Sequence, residues 1–226
     1  ALRAAFVVAM SGQQVAVVAP TTLLARQHFK TFTERFEGWP VKVRRLSRLV
    51  PAKEAAETRE ALKNGEVEII VGTHAVLSKQ VGFRNLGLGI VDEEQHFGVK
   101  HKEKLKELRA DVHMLTLTAT PSPRTLQMSL SGLREMSIIA TPPVDRRAVR
   151  TFGTPFDPLV VREALLREHY RGGQSFFVAP RISDLADAMT FLKEVVPEVK
   201  PALAHGQMSP KVLEEGMTAF YERKVD

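Results

Sequence analysis

The sequence predicts an α/β fold, a doubly wound parallel sheet flanked by helices and followed by part of a second unit of the same kind, and three observations predict it. Apolar runs of strand length alternate with amphipathic runs of helix length along all 226 residues. The run from Val15 to Ala19 is apolar at every position, as a strand buried on both faces of a parallel sheet must be. The pattern is interrupted from Thr141 to Arg147, where Pro142, Pro143 and two arginines stand, and then it starts again.

Ala1 to Met10 reads as the end of a helix, closed by Gly12. After the strand at Val15 to Ala19, Thr21 to Phe36 is helical, with Leu24, His28, Phe29 and Phe32 on one stripe. Val41 to Leu46 is a strand. Pro51 to Lys63 is a charged helix, with proline near its start and Gly65 past its end. Val67 to Val71 and Leu88 to Val91 are strands, the second running into Asp92, Glu93 and Glu94. Val99 to Arg109 is a Lys/Glu-rich helix, Val112 to Leu117 a strand, Leu126 to Leu130 a short helix and Ser137 to Ala140 another strand. Beyond the interruption come a helix (Leu159 to Arg171), a strand (Ser175 to Val178), a helix (Leu185 to Val195), a strand (Lys200 to Ala204) and a helix (Val212 to Tyr221). The expected division is a first domain over 1–144, a linker over 145–156 and the N-terminal part of a second domain over 157–226.

Composition narrows the function classes. A hydrophobic fraction of 44% supports a packed core and argues against disorder. No apolar run approaches the ~20 residues of a membrane span. The absence of cysteine removes disulfide frameworks and thiolate metal sites, and it fits a reducing cytoplasm. Net charge is +6, which suits a polyanionic partner such as nucleic acid and suits an ordinary basic protein equally well.

Chemistry-bearing residues gather where strands end, the edge at which open α/β sheets bind ligands. Asp92 follows a buried apolar strand and can hold Mg²⁺ directly or through water. Glu93 can orient or deprotonate a water. A solvated acidic loop would look the same in isolation. Thr118 and Thr120 stand at the end of the next strand and offer small hydroxyls. Pro20, Thr21 and Thr22 stand where a strand becomes a helix, so a threonine there caps the helix or shares its free N–H groups with a phosphate. Gly72-Thr73-His74 and His205-Gly206-Gln207-Met208 occupy two further strand ends. Trp39 reads as a packing anchor under a loop. His96 and His101 do not share a helical face at the i, i+4 spacing of a zinc helix, and the Lys100 to Lys106 run reads as a solvated helix face.

In this order, Pro20-Thr21-Thr22, Gly72-Thr73-His74, Asp92-Glu93-Glu94-Gln95 and Thr118-Ala119-Thr120 resemble motifs Ia, Ic, II and III of the superfamily 2 helicases. The longer strings Val91 to Val99 and Thr116 to Thr125 are similar to the branch that holds RecG and the transcription-repair coupling factors. Ser137 to Pro143, followed by basic residues, and His205 to Met208 resemble the coupling factors more than RecG. The resemblance covers essentially the whole chain. It implies a motor built on RecA-like domains that uses ATP and Mg²⁺ to move along double-stranded DNA. It further implies a bacterial cytoplasmic protein that displaces stalled RNA polymerase and recruits excision-repair proteins through modules outside these residues.

The resemblance also implies roles. Asp92 would bind the Mg²⁺ of Mg-ATP and Glu93 would be the catalytic carboxylate. Gln95 would sense the γ-phosphate and link to Thr118 and Thr120. Pro20, Thr21, Thr22, Arg48, Gly72, Thr73, His74, Gly206 and Gln207 would grip one DNA strand through its phosphates, independently of base sequence. Two other readings stand beside this one: a RecG-like replication-fork-remodelling motor, and a non-catalytic fragment that binds DNA or a protein. One departure matters. No Gly-x-x-x-x-Gly-Lys-Ser/Thr occurs in the 226 residues; the resemblance places that phosphate-binding loop immediately before Ala1, and the arginine finger beyond Asp226.

The 226 residues alone are therefore expected to turn over no ATP. Phosphoryl transfer rests on phosphate positioning and charge neutralisation, and loss of an arginine finger by itself costs about 10³ to 10⁵ in rate. Steady-state phosphate release by the purified chain with and without DNA checks this; DNA-stimulated turnover that disappears in Glu93→Gln would overturn it.

Overall fold

The computed structural model describes residues 1–98, 101, 103–105, 112–121, 123–132, 135–141 and 149–226. They fall into two compact units, Ala1–Ile139 and Ala140–Asp226.

In the first unit the apolar runs become five strands, β1 (Gln14–Val18), β2 (Val43–Leu46), β3 (Ile69–Gly72), β4 (Leu86–Asp92) and β5 (His113–Leu117). They pair in the order β2-β3-β1-β4-β5, and every pairing is parallel. Parallel pairing brings all C-terminal ends to one edge. Leu46, Gly72, Val18 and Val91 are level across four strands, and Asp92 is level with Leu117. Both faces of β1 are covered, as its unbroken apolar run requires. Val15 and Val17 join Ala5 and Ala9 of α1 (Leu2–Met10) and Phe32 and Phe36 of the α2 region (Thr22–Arg35). Ala16 and Val18 join Ala55 and Leu62 of α3 (Ala52–Asn64) on the other face.

Local signals set the boundaries. Thr21 caps α2, its hydroxyl accepting the Leu24 N–H at 3.2 Å. Gly65 ends α3 at φ 77°, the left-handed conformation that glycine adopts without penalty. Gly72 is glycine for a different reason. A Cβ there would lie 2.0 Å from the Leu46 carbonyl oxygen, so β2 and β3 could not approach in register.

One buried side chain ties these elements together. Gln14, 4% exposed, donates from Nε2 to the carbonyls of Leu62 (2.8 Å) and Val67 (2.9 Å) and accepts the Asn85 N–H at 3.0 Å. A single amide at the start of β1 thus satisfies the end of α3, the approach to β3 and the approach to β4. A further helix of this unit, α4 (Pro123–Leu130), follows β5.

The second unit contains α5 (Pro158–Tyr170), α6 (Leu185–Val195) and α7 (Pro210–Tyr221). It repeats the tie of the first. Gln174 donates to the carbonyls of Phe220 (2.6 Å) and Val225 (2.9 Å), as Gln14 does to Leu62 and Val67. Lys200 N–H bonds the Asp226 carboxylate at 2.8 Å, as Lys42 N–H bonds that of Glu68 at 2.6 Å. Arg223 follows α7 at φ 57°, where Gly65 follows α3. The two units share one design down to the polar contacts that close their helices.

Several expected elements differ. Ser175–Val178 and Lys200–Ala204, expected as strands, form no ladder. In unit 1, β1 and β2 are not neighbours; each pairs with β3. Unit 2 shows only the first rung of that arrangement. Ser175 N–H bonds the Asp226 carbonyl and Asp226 N–H bonds the Lys200 carbonyl, each at 3.0 Å. Phe176, Phe177, Val178, Ala202 and Leu203 there line an apolar cavity of about 420 Å³. Ser137–Ala140 likewise carries no ladder. In the expected helix from Val99 to Arg109, His101 and 103–105 are helical and the other positions lie outside the described residues. Of the expected linker, 149–156 has no regular structure, and 145–148 lies outside the described residues.

Gln14→Leu should lower the unfolding free energy of unit 1 by about 2 kcal/mol or more, because the Val67 carbonyl and the Asn85 N–H lose their partner inside the protein, while the Leu62 carbonyl keeps the Gly65 and Arg84 N–H groups. Urea unfolding followed by circular dichroism measures it; a loss under about 1 kcal/mol would show that the amide is dispensable.

Candidate functional site

Two groups of residues form along the sheet edge of unit 1. The first gathers where β4 and β5 end. Asp92 is the last residue of β4. Glu93 then takes φ 50° and ψ 48°, a left-handed conformation that costs a non-glycine residue roughly 1–2 kcal/mol. Its N–H is held by the Leu117 carbonyl of β5 at 2.9 Å, which fixes the turn. Backbone strain of this kind persists where surrounding structure enforces it, commonly at functional sites. The turn leads into a short 3-10 helix, Glu94–His96, that carries Gln95. The Gln95 amide then faces three acceptors and donors at once. Its Nε2 donates to the Glu93 carboxylate and to Thr120 Oγ1 (3.2 Å), and its Oε1 accepts from Thr118 Oγ1 (3.2 Å). The Thr120 N–H closes the ring on Thr118 Oγ1 at 3.1 Å. Glu93, Gln95, Thr118 and Thr120 are thus joined in one network across two strand ends, and Asp92 directly precedes Glu93 in the chain.

The sequence reading missed one member. His28 was assigned with Leu24, Phe29 and Phe32 to the inward stripe of its helix. Its Nε2 lies 2.6 Å from Asp92 Oδ2, with the two side chains 27% and 17% exposed. The signal was present, since a histidine on the inward stripe of a helix needs a polar partner.

The second group gathers where β2, β3 and β1 end. Pro20, Thr21 and Thr22 lead from β1 into α2. Thr21 caps that helix, so the plain capping role exists whatever else the residue does. Gly72 closes β3 against Leu46, and Thr73 is 3% exposed, with its N–H on the Leu46 carbonyl. Thr21, His74 and Arg48 are the exposed residues at this corner. His101, whose spacing from His96 does not suit a zinc helix, sets its ring against that of His74 at 4.7 Å between centroids, tilted by 33°. Burial holds the His74 imidazole below its ordinary pKa, and the positive neighbours His101, Arg48 and Lys104 add to that effect. Gly206 and Gln207 lie in unit 2, where the Gln207 N–H bonds His205 Nδ1 at 3.3 Å in a turn preceding α7.

No helix among the described residues is long and apolar enough to cross a membrane. No group of three or more His, Asp and Glu side chains among them is placed to hold a metal unaided.

Residues 1–129 match the DEAD/DEAH box helicase family. The chain is 54% identical, over its full length, to the transcription-repair-coupling factor of Rickettsia prowazekii, and spans 20% of that protein. It is 49% identical over 99% of its length to the transcription-repair-coupling factor of Escherichia coli, again spanning 20% of it. Among solved structures, that of RecG bound to a three-way DNA junction superposes with a TM-score of 0.70 at 32% identity. It covers 95% of this chain and 29% of the other. The chain therefore spans about a fifth of the curated relatives it matches.

His74 should titrate below 6.5 by NMR, and Arg48→Ala should raise its midpoint by removing one positive neighbour. The unfolded chain takes up this proton near pH 6.5 and the folded chain resists it. Stability should accordingly fall as pH drops from about 6.5 to the folded midpoint and level off below it. A midpoint at or above 6.5 would refute the cluster's electrostatics.

Proposed function

We propose, from the premise that this chain belongs to the DEAD/DEAH box helicase family, that it forms part of the ATP-driven, double-stranded DNA translocase motor of a transcription-repair-coupling factor. The observation that carries this reading is the Gln95 amide, joined at once to Glu93 and to both threonines beyond β5. A change in charge at Glu93 alters the bonds that Gln95 makes with Thr118 and Thr120, so an event at the acidic turn is transmitted to the next strand end. A solvated acidic loop needs no such wiring.

The donor set suits a hard cation. Asp92 presents carboxylate oxygen at the C-terminal strand edge, the ligand type Mg²⁺ prefers, and leaves coordination positions for water and phosphate. When bound, Mg²⁺ neutralises charge that develops on the transferring phosphoryl group. In this reading Asp92 holds the cation directly or through water. Glu93 orients the attacking water and accepts its proton. Gln95 passes the state of that site to Thr118 and Thr120. The DNA strand runs over the other corner of unit 1, where Pro20, Thr21, Thr22, Arg48, Gly72, Thr73 and His74 stand at strand ends; Gly206 and Gln207 are, in unit 2, the residues this reading assigns to phosphate. Thr73 being buried, its part there is to set the backbone, with His74 and Arg48 making the outward contacts. Displacement of stalled RNA polymerase and recruitment of excision-repair proteins would belong to portions beyond the fifth of the relatives that this chain spans.

A RecG-like fork-remodelling motor is the second reading, favoured by the superposition on RecG; the higher identity to the coupling factors weighs for the first.

In the full-length protein, Glu93→Gln should reduce ATP hydrolysis at least ~10²-fold while nucleotide affinity stays close to wild type. Asp92→Asn should weaken Mg²⁺-dependent nucleotide binding by removing a charge that faces the cation. Fluorescent-nucleotide titration and steady-state turnover check both. Wild-type turnover in the two variants would defeat the assignment.

A further inference from the structure

Resting on the Asp92 reading above, we propose that His28 is a positioning residue for the cation-binding carboxylate: it fixes which way Asp92 points and so sets how readily Mg²⁺ binds with nucleotide.

The geometry begins with the helix. Ala25, Phe32 and Phe36 are buried in the α2 region against the sheet, and Phe29 packs on the same core. His28 stands three residues after Ala25 and four before Phe32, on the same helical face. Its direction is therefore fixed by the packing of its neighbours. Strand periodicity does the rest. Ile90 lies in the core beneath α1 and α2, and Asp92, two residues on, projects to the same face of the sheet. The two side chains meet at 2.6 Å. An ionised carboxylate accepts and cannot donate, so the imidazole Nε2 carries the proton and donates it to Oδ2. That makes a short hydrogen bond to a charged acceptor, with each partner largely withdrawn from water.

An exposed ion pair of two flexible side chains would contribute little. This pair differs on both counts. The imidazole is short, and its helix is anchored by three buried side chains. The carboxylate ends a strand paired on both sides, to β1 and to β5. With one oxygen held by His28, the rotation that would carry the carboxylate away from the strand edge is blocked, and Oδ1 is left directed by the same constraint. Carboxylates that bind metal are commonly held in this manner, and losing the holding residue typically costs 10- to 100-fold in metal affinity or activity. The cost comes from orientation, since the ligating atoms are unchanged.

The test uses the full-length protein and a fluorescent ATP analogue titrated with Mg²⁺, which reads cation dependence without turnover. His28→Leu fills the same half-buried space and has no donor. His28→Gln offers an amide N–H at close to the position of Nε2. The expected result is that the Mg²⁺ concentration for half-maximal nucleotide binding rises about 10-fold in His28→Leu and returns to within about 3-fold of wild type in His28→Gln. Melting temperatures accompany each titration; should His28→Leu fail to fold, His28→Ala takes its place in the comparison. Equal shifts in the donor-free and glutamine variants, or no shift in either, would overturn the proposal. Asp92→Asn runs alongside. If it moves the Mg²⁺ dependence while the donor-free His28 variant does not, the positioning role alone fails. If Asp92→Asn moves nothing, the cation reading of Asp92 itself fails.

Discussion

Buried at the first position of β1, the side-chain amide of Gln14 donates to the carbonyls of Leu62 and Val67 and accepts from the backbone of Asn85. Those three groups belong to the end of α3 and to the segments that lead into β3 and β4. None of them has a ladder partner at that point, because β3 and β4 flank β1 and the chain reaches each by a crossover. An amide that answers all three sets where both neighbours of β1 begin. Once their starts are fixed, parallel register fixes their ends, and the ends carry the chemistry. Gly72 enforces the same alignment from the other side by admitting the Leu46 carbonyl where any Cβ would exclude it.

From that alignment the acidic turn follows with little freedom. Asp92 ends level with Leu117, so the next N–H, that of Glu93, falls on the Leu117 carbonyl. Satisfying that bond pulls Glu93 into a left-handed conformation it would not choose, at φ 50°. The chain then folds back as a single 3-10 turn, which delivers Gln95 between the two threonines of the neighbouring strand end. Strain at one residue accompanies a network of four, Glu93, Gln95, Thr118 and Thr120. The basic corner at the other end of the edge obeys opposite electrostatics. There Arg48, His74, His101 and Lys104 converge, and burial together with their mutual repulsion disfavours protonation of His74.

Unit 2 shows that this arrangement belongs to a repeated design. Gln174 reproduces the Gln14 tie, Asp226 reproduces the Glu68 cap on a lysine N–H, and Arg223 takes the left-handed position of Gly65. An arginine at positive φ carries a penalty that glycine lacks, yet the geometry is kept. The contact survives the substitution because the carbonyls that end α7 and precede Asp226 still require a donor.

The sequence by itself determined the fold class and which polar residues gather at one edge of the sheet. Unbroken apolar runs such as Val15 to Ala19 mark buried parallel strands, and residues like Asp92 and Thr118 that follow such runs must lie at the C-terminal edge. Periodicity and punctuation are local properties, which is why helix ends at Thr21 and Gly65 were legible. Pairing is a different matter. Ser175–Val178 and Lys200–Ala204 read as strands because they are apolar. A strand is completed by its neighbour's backbone, and between these two only a single rung at Asp226 is present. The meetings of His28 with Asp92 and of His101 with His74 were decided by tertiary structure alone. The first joins residues 64 positions apart, one on a helix that covers a face of the sheet and the other at the end of a strand whose side chain projects to that face. No spacing in a linear sequence encodes such a distance. It is set by the order in which the strands associate and by the helix faces that hydrophobic burial turns inward.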